Sequence, residues 1–310
     1  DAEMTMTMSS DGSEWQEIKG KDLLLKVIES KKTGDDAKPV TSDDTVMLQI
    51  VGRQSDGPDH LDGPIFQDTK SKSWIIRADE RDMMVDAIRH CLPHCRVGQV
   101  VQIWSQPQYA MKEGTRKFKQ YELPANSSVM YTIEVKQIVM DTSRLNPYFT
   151  IQKNKTRKEV ANDLYQNEFR HQRERAIRLY EKVAKELSKL LDGTYFASVE
   201  SNHPQRTETR QLMLDSMNNI VAVYMGARQY KKGREAAQQV LRKDPKNRKA
   251  LLRNAKMAVL DPRLSGKERA QAMKDAEDVI TYHDANEYAE LEKLKAQMKK
   301  AIADKANTEE

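Results

Sequence analysis

Up to about residue 145 the chain alternates short apolar runs with clusters of Gly, Pro, Asp and Ser. DLLLKVI (22–28), TVMLQIVG (45–52), GQVVQIW (98–104) and SVMYTIEVKQIV (128–139) are the clearest of these runs. Runs of this length, rich in β-branched residues and bounded by turn formers, predict strands. DERDMMVDAI (79–88) reads as one short helix among them, and residues 1–13, DAEMTMTMSSDGS, have no apolar period and read as a disordered tail. Past about 153 the texture changes. KTRKEVANDLYQNEFRHQRERAIRLYEKVAKELSKLL and the segments after it carry helix formers with apolar residues three and four apart. The expected fold is therefore an α+β N-terminal region, an antiparallel sheet wrapped on a short helix, succeeded by an all-α region. LNPYF (145–149) is the joint.

The helical half repeats itself. LDSMNNIVAVYMGARQYKKGREAAQQVLRKDPKN (214–247) predicts two helices broken near Arg228–Gln229, with Asp244-Pro245 ending the second. Val221 and Gly233 take small positions, where helices approach closely, and Tyr224 and Tyr230 take bulky ones. A further copy begins at Arg248, with Ala255, Ala272 and Val279, and an earlier one near 154, with Ala161, Ala176 and Tyr180. Residues 287–305 predict a terminal capping helix. The pattern resembles the tetratricopeptide repeat, whose period is about 34 residues. Units of that kind bury their faces only against neighbours, so three of them with a cap form a stable array.

In NRKALLRNAK (247–256), Lys249 and Arg253 stand four apart and project from one helix face, where both can grip one anion. Lys158 and Asn162 in KEVAN, and Asn219 in NNIVAVY, fall on the other inner helices. In the repeat family these positions form a two-carboxylate clamp, and all five residue types match. Asn219 to Lys249 is 30 residues, the step from position six of one unit to position two of the next. The resemblance implies capture of the acidic C-terminal EEVD peptide of heat-shock protein 90. Heat-shock protein 70 is a second partner it allows. Charge-assisted hydrogen bonds satisfy the paired carboxylates.

The β-rich half carries a second resemblance. LPANSSVMYTIEVKQI (123–138) is similar to the last strand of FKBP-type peptidyl-prolyl isomerases, RVGQVVQIWSQPQYAM (96–111) to their Gly-Gln strand and loop, and LDGPIF (61–66) to the turn before a pocket phenylalanine. With the repeats behind it, the whole resembles the multidomain immunophilins. It is most like their tail-anchored branch on the mitochondrial outer membrane, in which the isomerase pocket is degenerate. The implied domains are 14–144, FKBP-like; 145–153, linker; and 154–310, repeats with their cap.

The resemblance places Phe66, Trp74 and Tyr131 as aromatic walls of the pocket, with Met84 and Val85 at the backbone-contact positions. Four positions depart from the family. Gln67 stands for the pocket aspartate, Ile88 for the tryptophan floor, Met111 for the second tyrosine of the loop, and Ile50 for an early-strand tyrosine. Aliphatic side chains do not reproduce the contact area and geometry of aromatic faces. The expectation is a weak or inactive isomerase domain used for client or regulatory contacts. The alternative is a working isomerase that the repeats merely target, and a third reading is a regulatory scaffold of organelle surfaces.

Composition narrows the partners. Of 310 residues, 38% are hydrophobic and 32% charged, and no apolar run approaches the ~20 residues a membrane helix needs. A membrane anchor after residue 310 would place the protein on the cytosolic face of mitochondria or the endoplasmic reticulum. The net charge of +5 comes from Lys and Arg mixed with acids, which reads as solvated surface and not as a nucleic-acid patch. Cys91 and Cys95 are too few for a disulfide framework and fit a cytosolic chain. HCLPHC (90–95) is interrupted by Pro93 and has no second ligand cluster, so no metal or other cofactor is expected.

Overall fold

The computed structural model describes residues 6–8, 14–110, 116–118, 121–140, 146–166, 169–281, 283 and 285–306. By contact density it divides into two compact units, Asp1–Leu179 with Asp192–Val199, and Tyr180–Leu191 with Glu200–Glu310.

The first unit is built on strands β1 (Met6–Met8), β2 (Glu14–Glu17), β3 (Leu23–Ser30), β4 (Thr45–Gln54), β5 (Ile65–Asp68) and β6 (Trp74–Arg77). Helix α1 (Asp86–Cys91) comes next, and then β7 (Gln99–Ser105), β8 (Arg116–Phe118), β9 (Tyr121–Leu123) and β10 (Val129–Ile138). The main sheet is antiparallel in the order β1-β2-β3-β7-β10-β4-β5, with β6 also on β4, and β8 and β9 form a separate hairpin. The alternating burial along the first half of β4 shows why TVMLQIVG makes a strand. Val46, Leu48 and Ile50 are buried, and Thr45, Met47 and Gln49 between them are only half-buried. Trp15, Leu24, Trp104 and Met130 form one apolar cluster on the sheet, with the Lys26 ammonium 5.6 Å from the centre of the Trp15 ring.

Three stretches differ from the sequence reading. Met6–Met8, inside the expected disordered tail, pairs with β2. The helix expected over 79–88 is confined to Asp86–Cys91, because Val85 is extended and 81–83 form a turn. The expected linker contains a helix start: Asn146 Oδ1 accepts the Tyr148 N–H at 2.9 Å, opening α2 (Tyr148–Tyr165).

Helix α2, expected to begin the repeats, belongs to the first unit, as does the first part of α3 (Arg170–Leu191) together with the short α4 (Thr194–Ala197). A buried ion pair explains the attachment of α2. The Arg157 guanidinium lies 3.1 Å through Nε, and 2.7 Å through Nη2, from the Glu80 carboxylate, and Asn154 Oδ1 accepts from Nη1 at 3.3 Å. Both charged side chains are at most 5% exposed. Next to it, Arg178 Nη2 donates to Asp82 Oδ1 at 2.9 Å and Arg175 Nη2 to the Asp82 carbonyl at 3.2 Å.

The second unit contains α5 (Pro204–Gly226), α6 (Tyr230–Lys243), α7 (Arg248–Leu260), α8 (Gly266–Glu277) and α9 (Ala285–Ala306). The break between α5 and α6 falls where the sequence placed it, with Arg228 left-handed at φ 56°. Gly233 is small by necessity: a Cβ there would lie 2.3 Å from Met257 Sδ of α7. Helix α8 starts on a capping box, Ser265 with Glu268, and ends at Glu277, so Val279 sits in the turn after it and not on the helix. Leu251, Leu252 and Ala255 of α7, Met273 and Ala276 of α8, Ile280, and Leu291 and Leu294 of α9 make a single core.

Because the Glu80–Arg157 pair is buried, removing one partner strands the other charge. Glu80→Ala is expected to cost about 3–5 kcal/mol in urea unfolding, whereas replacing both with Leu and Met recovers most of the loss. A single substitution costing under about 1 kcal/mol would show that the pair does not hold α2.

Candidate functional site

The residues that the sequence assigned to an isomerase pocket are partly brought together. The Phe66 and Tyr131 rings meet edge to face, centroids 5.9 Å apart at 89°. Gly52 makes room for them, since a Cβ at that position would lie 2.8 Å from the Phe66 ring and 2.9 Å from Tyr131. Ile50 is on the same strand, its N–H donating to Thr69 Oγ1 at 2.7 Å. Ile88 lies on the buried face of α1 and Met84 in the turn before it, with Val85 half-buried beside them. None of Ile50, Met84, Ile88 and Tyr131 is more than 3% exposed. A substrate therefore meets almost none of their surface without displacing a neighbour. Met111 lies outside the described residues.

Phe66, Gln67 and Trp74 instead line a cavity of about 600 Å³ shared with Tyr121 and with Glu159, Asn162 and Asp163 of α2. The Lys72 ammonium and the Glu159 carboxylate form an ion pair at this cavity. Two placements bear on the sequence reading. The exposed part of the aromatic wall faces a helix that the sequence assigned to another domain. Asn162, assigned to the carboxylate clamp, lines this cavity, and Lys158 is half-buried four residues earlier on the same helix.

In the second unit, α7 places Lys249, Arg253 and Lys256 on one face by their four- and three-residue spacing. All three line a cavity of about 360 Å³ with Met225, Leu252, Asn286, Glu287 and Glu290. Lys249 is exposed, and Arg253 is held from behind, its Nη1 donating to the Asn218 carbonyl of α5 at 2.6 Å. Asn218 in turn donates through Nδ2 to Asn247 Oδ1 at 3.1 Å, and that oxygen also caps α7 by accepting from the Ala250 N–H. The chain of bonds fixes where α7 presents its cations. Asn219 is half-buried on α5, next to Asn218. The five expected clamp residues are thus divided, Lys158 and Asn162 in the first unit and Asn219, Lys249 and Arg253 in the second.

Sequence reasoning missed Lys256, Asn218 and the α9 carboxylates. Lys256 was signalled by its position seven residues after Lys249, two turns along the same face. Asn218 and the glutamates had no local signal, because their roles depend on helices far apart in sequence.

The two cysteines of HCLPHC are buried free thiols, with Cys95 Sγ donating to the Cys91 carbonyl at 3.3 Å. Burial pushes the Cys95 thiol up to about 12 and the Cys91 thiol up as well, so both stay protonated at neutral pH. Among the described residues no cluster of three or more His, Cys, Asp or Glu is placed to hold a metal ion, and no helix is long and apolar enough to cross a membrane.

No family model matches the chain. Solved structures similar to it include a multi-domain immunophilin from Arabidopsis thaliana, 16% identical, covering 88% of this chain and 100% of that one with a TM-score of 0.33. The three FKBP domains of wheat FKBP73 are 20% identical, with 44% of this chain and 52% of that one covered and a TM-score of 0.33. The N-terminal domain of FKBP42 from Arabidopsis thaliana is 16% identical, with 44% and 100% covered and a TM-score of 0.32. At these values the functional reading rests on the residues themselves.

If Gly52 exists to seat the Phe66–Tyr131 pair, Gly52→Ala forces the rings apart and destabilises the protein by about 1–3 kcal/mol in denaturant titration. Unchanged stability would mean that the rings are not packed as described.

Proposed function

We propose that this protein is a co-chaperone of the immunophilin type, which binds the acidic C-terminal EEVD peptide of heat-shock protein 90 through its helical repeats. Heat-shock protein 70, with a related ending, is a second candidate partner. The observation that carries the proposal is the cationic face of α7, where Lys249 and Arg253 open into one cavity and Arg253 is pre-positioned by the Asn218 carbonyl. A peptide's main-chain carboxylate and an acidic side chain supply two anions for these donors, each charge-assisted bond contributing about 1.5–3 kcal/mol. Asn219, in the same unit, joins the clamp on the strength of its family position. The repeats' cavity is a binding site and carries no catalytic chemistry.

The FKBP-like region acts in this proposal as a degenerate isomerase that presents surfaces to clients or regulators. The near-complete burial of Ile50, Met84, Ile88 and Tyr131 supports this, as does the facing of Phe66 and Trp74 towards α2. Proline isomerisation needs the prolyl ring enclosed in an accessible apolar cleft, so that a barrier of roughly 18–20 kcal/mol falls.

Titration of a blocked peptide ending in Glu-Glu-Val-Asp tests the first part. Lys249→Ala is expected to weaken binding at least about tenfold, the equivalent of one charge-assisted bond. Equal binding by wild type and variant would refute the assignment. In a protease-coupled proline isomerisation assay the protein is expected to give no turnover above background. Rapid, tacrolimus-sensitive turnover would overturn the degenerate reading of Ile50, Gln67, Ile88 and Met111.

A further inference from the structure

The cationic cavity of the second unit already contains acidic groups. Glu287 and Glu290, on the first turns of α9, line it opposite Lys249, Arg253 and Lys256. Glu290 Oε1 lies 2.8 Å from Lys256 Nζ. The side chains of that pair are 43% and 38% exposed. Exposed pairs of this kind contribute little, because water competes for both charges and ordering two long side chains costs entropy. The buried Glu80–Arg157 pair of the first unit, at 4% and 5%, is the contrasting case.

Three cations on one helix face repel one another, and a neighbouring carboxylate relieves that repulsion. In the unliganded cavity the relief comes from α9. An incoming acidic peptide brings carboxylates of its own to the same three cations. We infer that Glu290, assisted by Glu287, is a built-in competitor that occupies Lys256 until an acidic peptide displaces it, and that Lys256 is a specificity residue reading a side-chain carboxylate of that peptide. This rests on the clamp reading of Lys249 and Arg253 and adds a third cation and a regulating counter-charge to it. The ligand class is a peptide with a free C-terminal carboxylate and at least one acidic side chain beyond the pair held by Lys249 and Arg253.

The exchange is balanced in charge, one carboxylate leaving Lys256 as another arrives, so the net cost of releasing Glu290 is only that of a weak exposed pair. Selectivity comes from the same exchange. A peptide without the extra acid has nothing to offer Lys256, which stays paired with Glu290, and so gains no contact there.

The test uses the full chain and two blocked peptides, one ending in Glu-Glu-Val-Asp and one in Gln-Gln-Val-Asp, measured by calorimetry or fluorescence anisotropy. Glu290→Gln is expected to tighten the acidic peptide about two- to fivefold, and Glu287→Gln with Glu290→Gln about tenfold, with the gain vanishing near 0.5 M NaCl. Lys256→Ala is expected to shrink the affinity ratio between the two peptides, because the group that reads the extra acid is gone. If wild type binds, Lys249→Ala abolishes binding and Glu290→Gln and Lys256→Ala change nothing, this inference falls and the clamp stands. Absence of binding in wild type and every variant overturns both.

Discussion

Like charges crowded on a single helix face are the constraint on which the functional account depends. Lys249, Arg253 and Lys256 occupy consecutive turns of α7, and the fold keeps them there with ordinary means. Leu251 and Ala255 bury the other side of the helix in the core of the second unit, which directs the cations away from it. Asn247 fixes where the helix starts, and the Asn218 carbonyl fixes how Arg253 leaves it. A cationic surface supported in this way favours anions whether or not one is bound. The carboxylates of α9 answer that demand within the chain, and an acidic peptide answers it from outside.

The first unit shows the opposite use of charge. Glu80 and Arg157 are removed from water, and their mutual attraction together with the Asn154 contact compensates for the lost hydration. Such a pair fixes position more than it adds stability. Its consequence is that α2 is part of the unit built on the sheet, lining the cavity at Phe66, Gln67 and Trp74. Phe66 and Trp74 border a cavity that the polar face of α2 also lines, while Ile50, Met84, Ile88 and Tyr131 are buried.

Local pattern carried much of the architecture. The apolar runs at 22–28, 45–52, 98–104 and 128–139 became β3, β4, β7 and β10, because alternation and β-branching act over a few residues. The helix break at Arg228 and the small residue at Gly233 were equally readable. What could not be read is what depends on residues far apart. A turn at 81–83 replaces helix next to where Glu80 meets Arg157, 77 positions away, and nothing near either residue announces it. Asn162 matched a family position by spacing, yet its surroundings include Phe66 and Trp74, about a hundred residues upstream. Of the binding face, Lys249 and Arg253 were visible as a pair, while Glu290 entered only once α9 was placed beside α7.

The most direct examination of the central claim is a chemical-shift map of the isotopically labelled chain during addition of the Glu-Glu-Val-Asp peptide. The largest changes are predicted along α7 from Lys249 to Lys256 and at Asn286–Glu290 of α9, growing together and saturating at one affinity. Shifts confined to the β-sheet unit, with α7 and α9 unmoved, would contradict it.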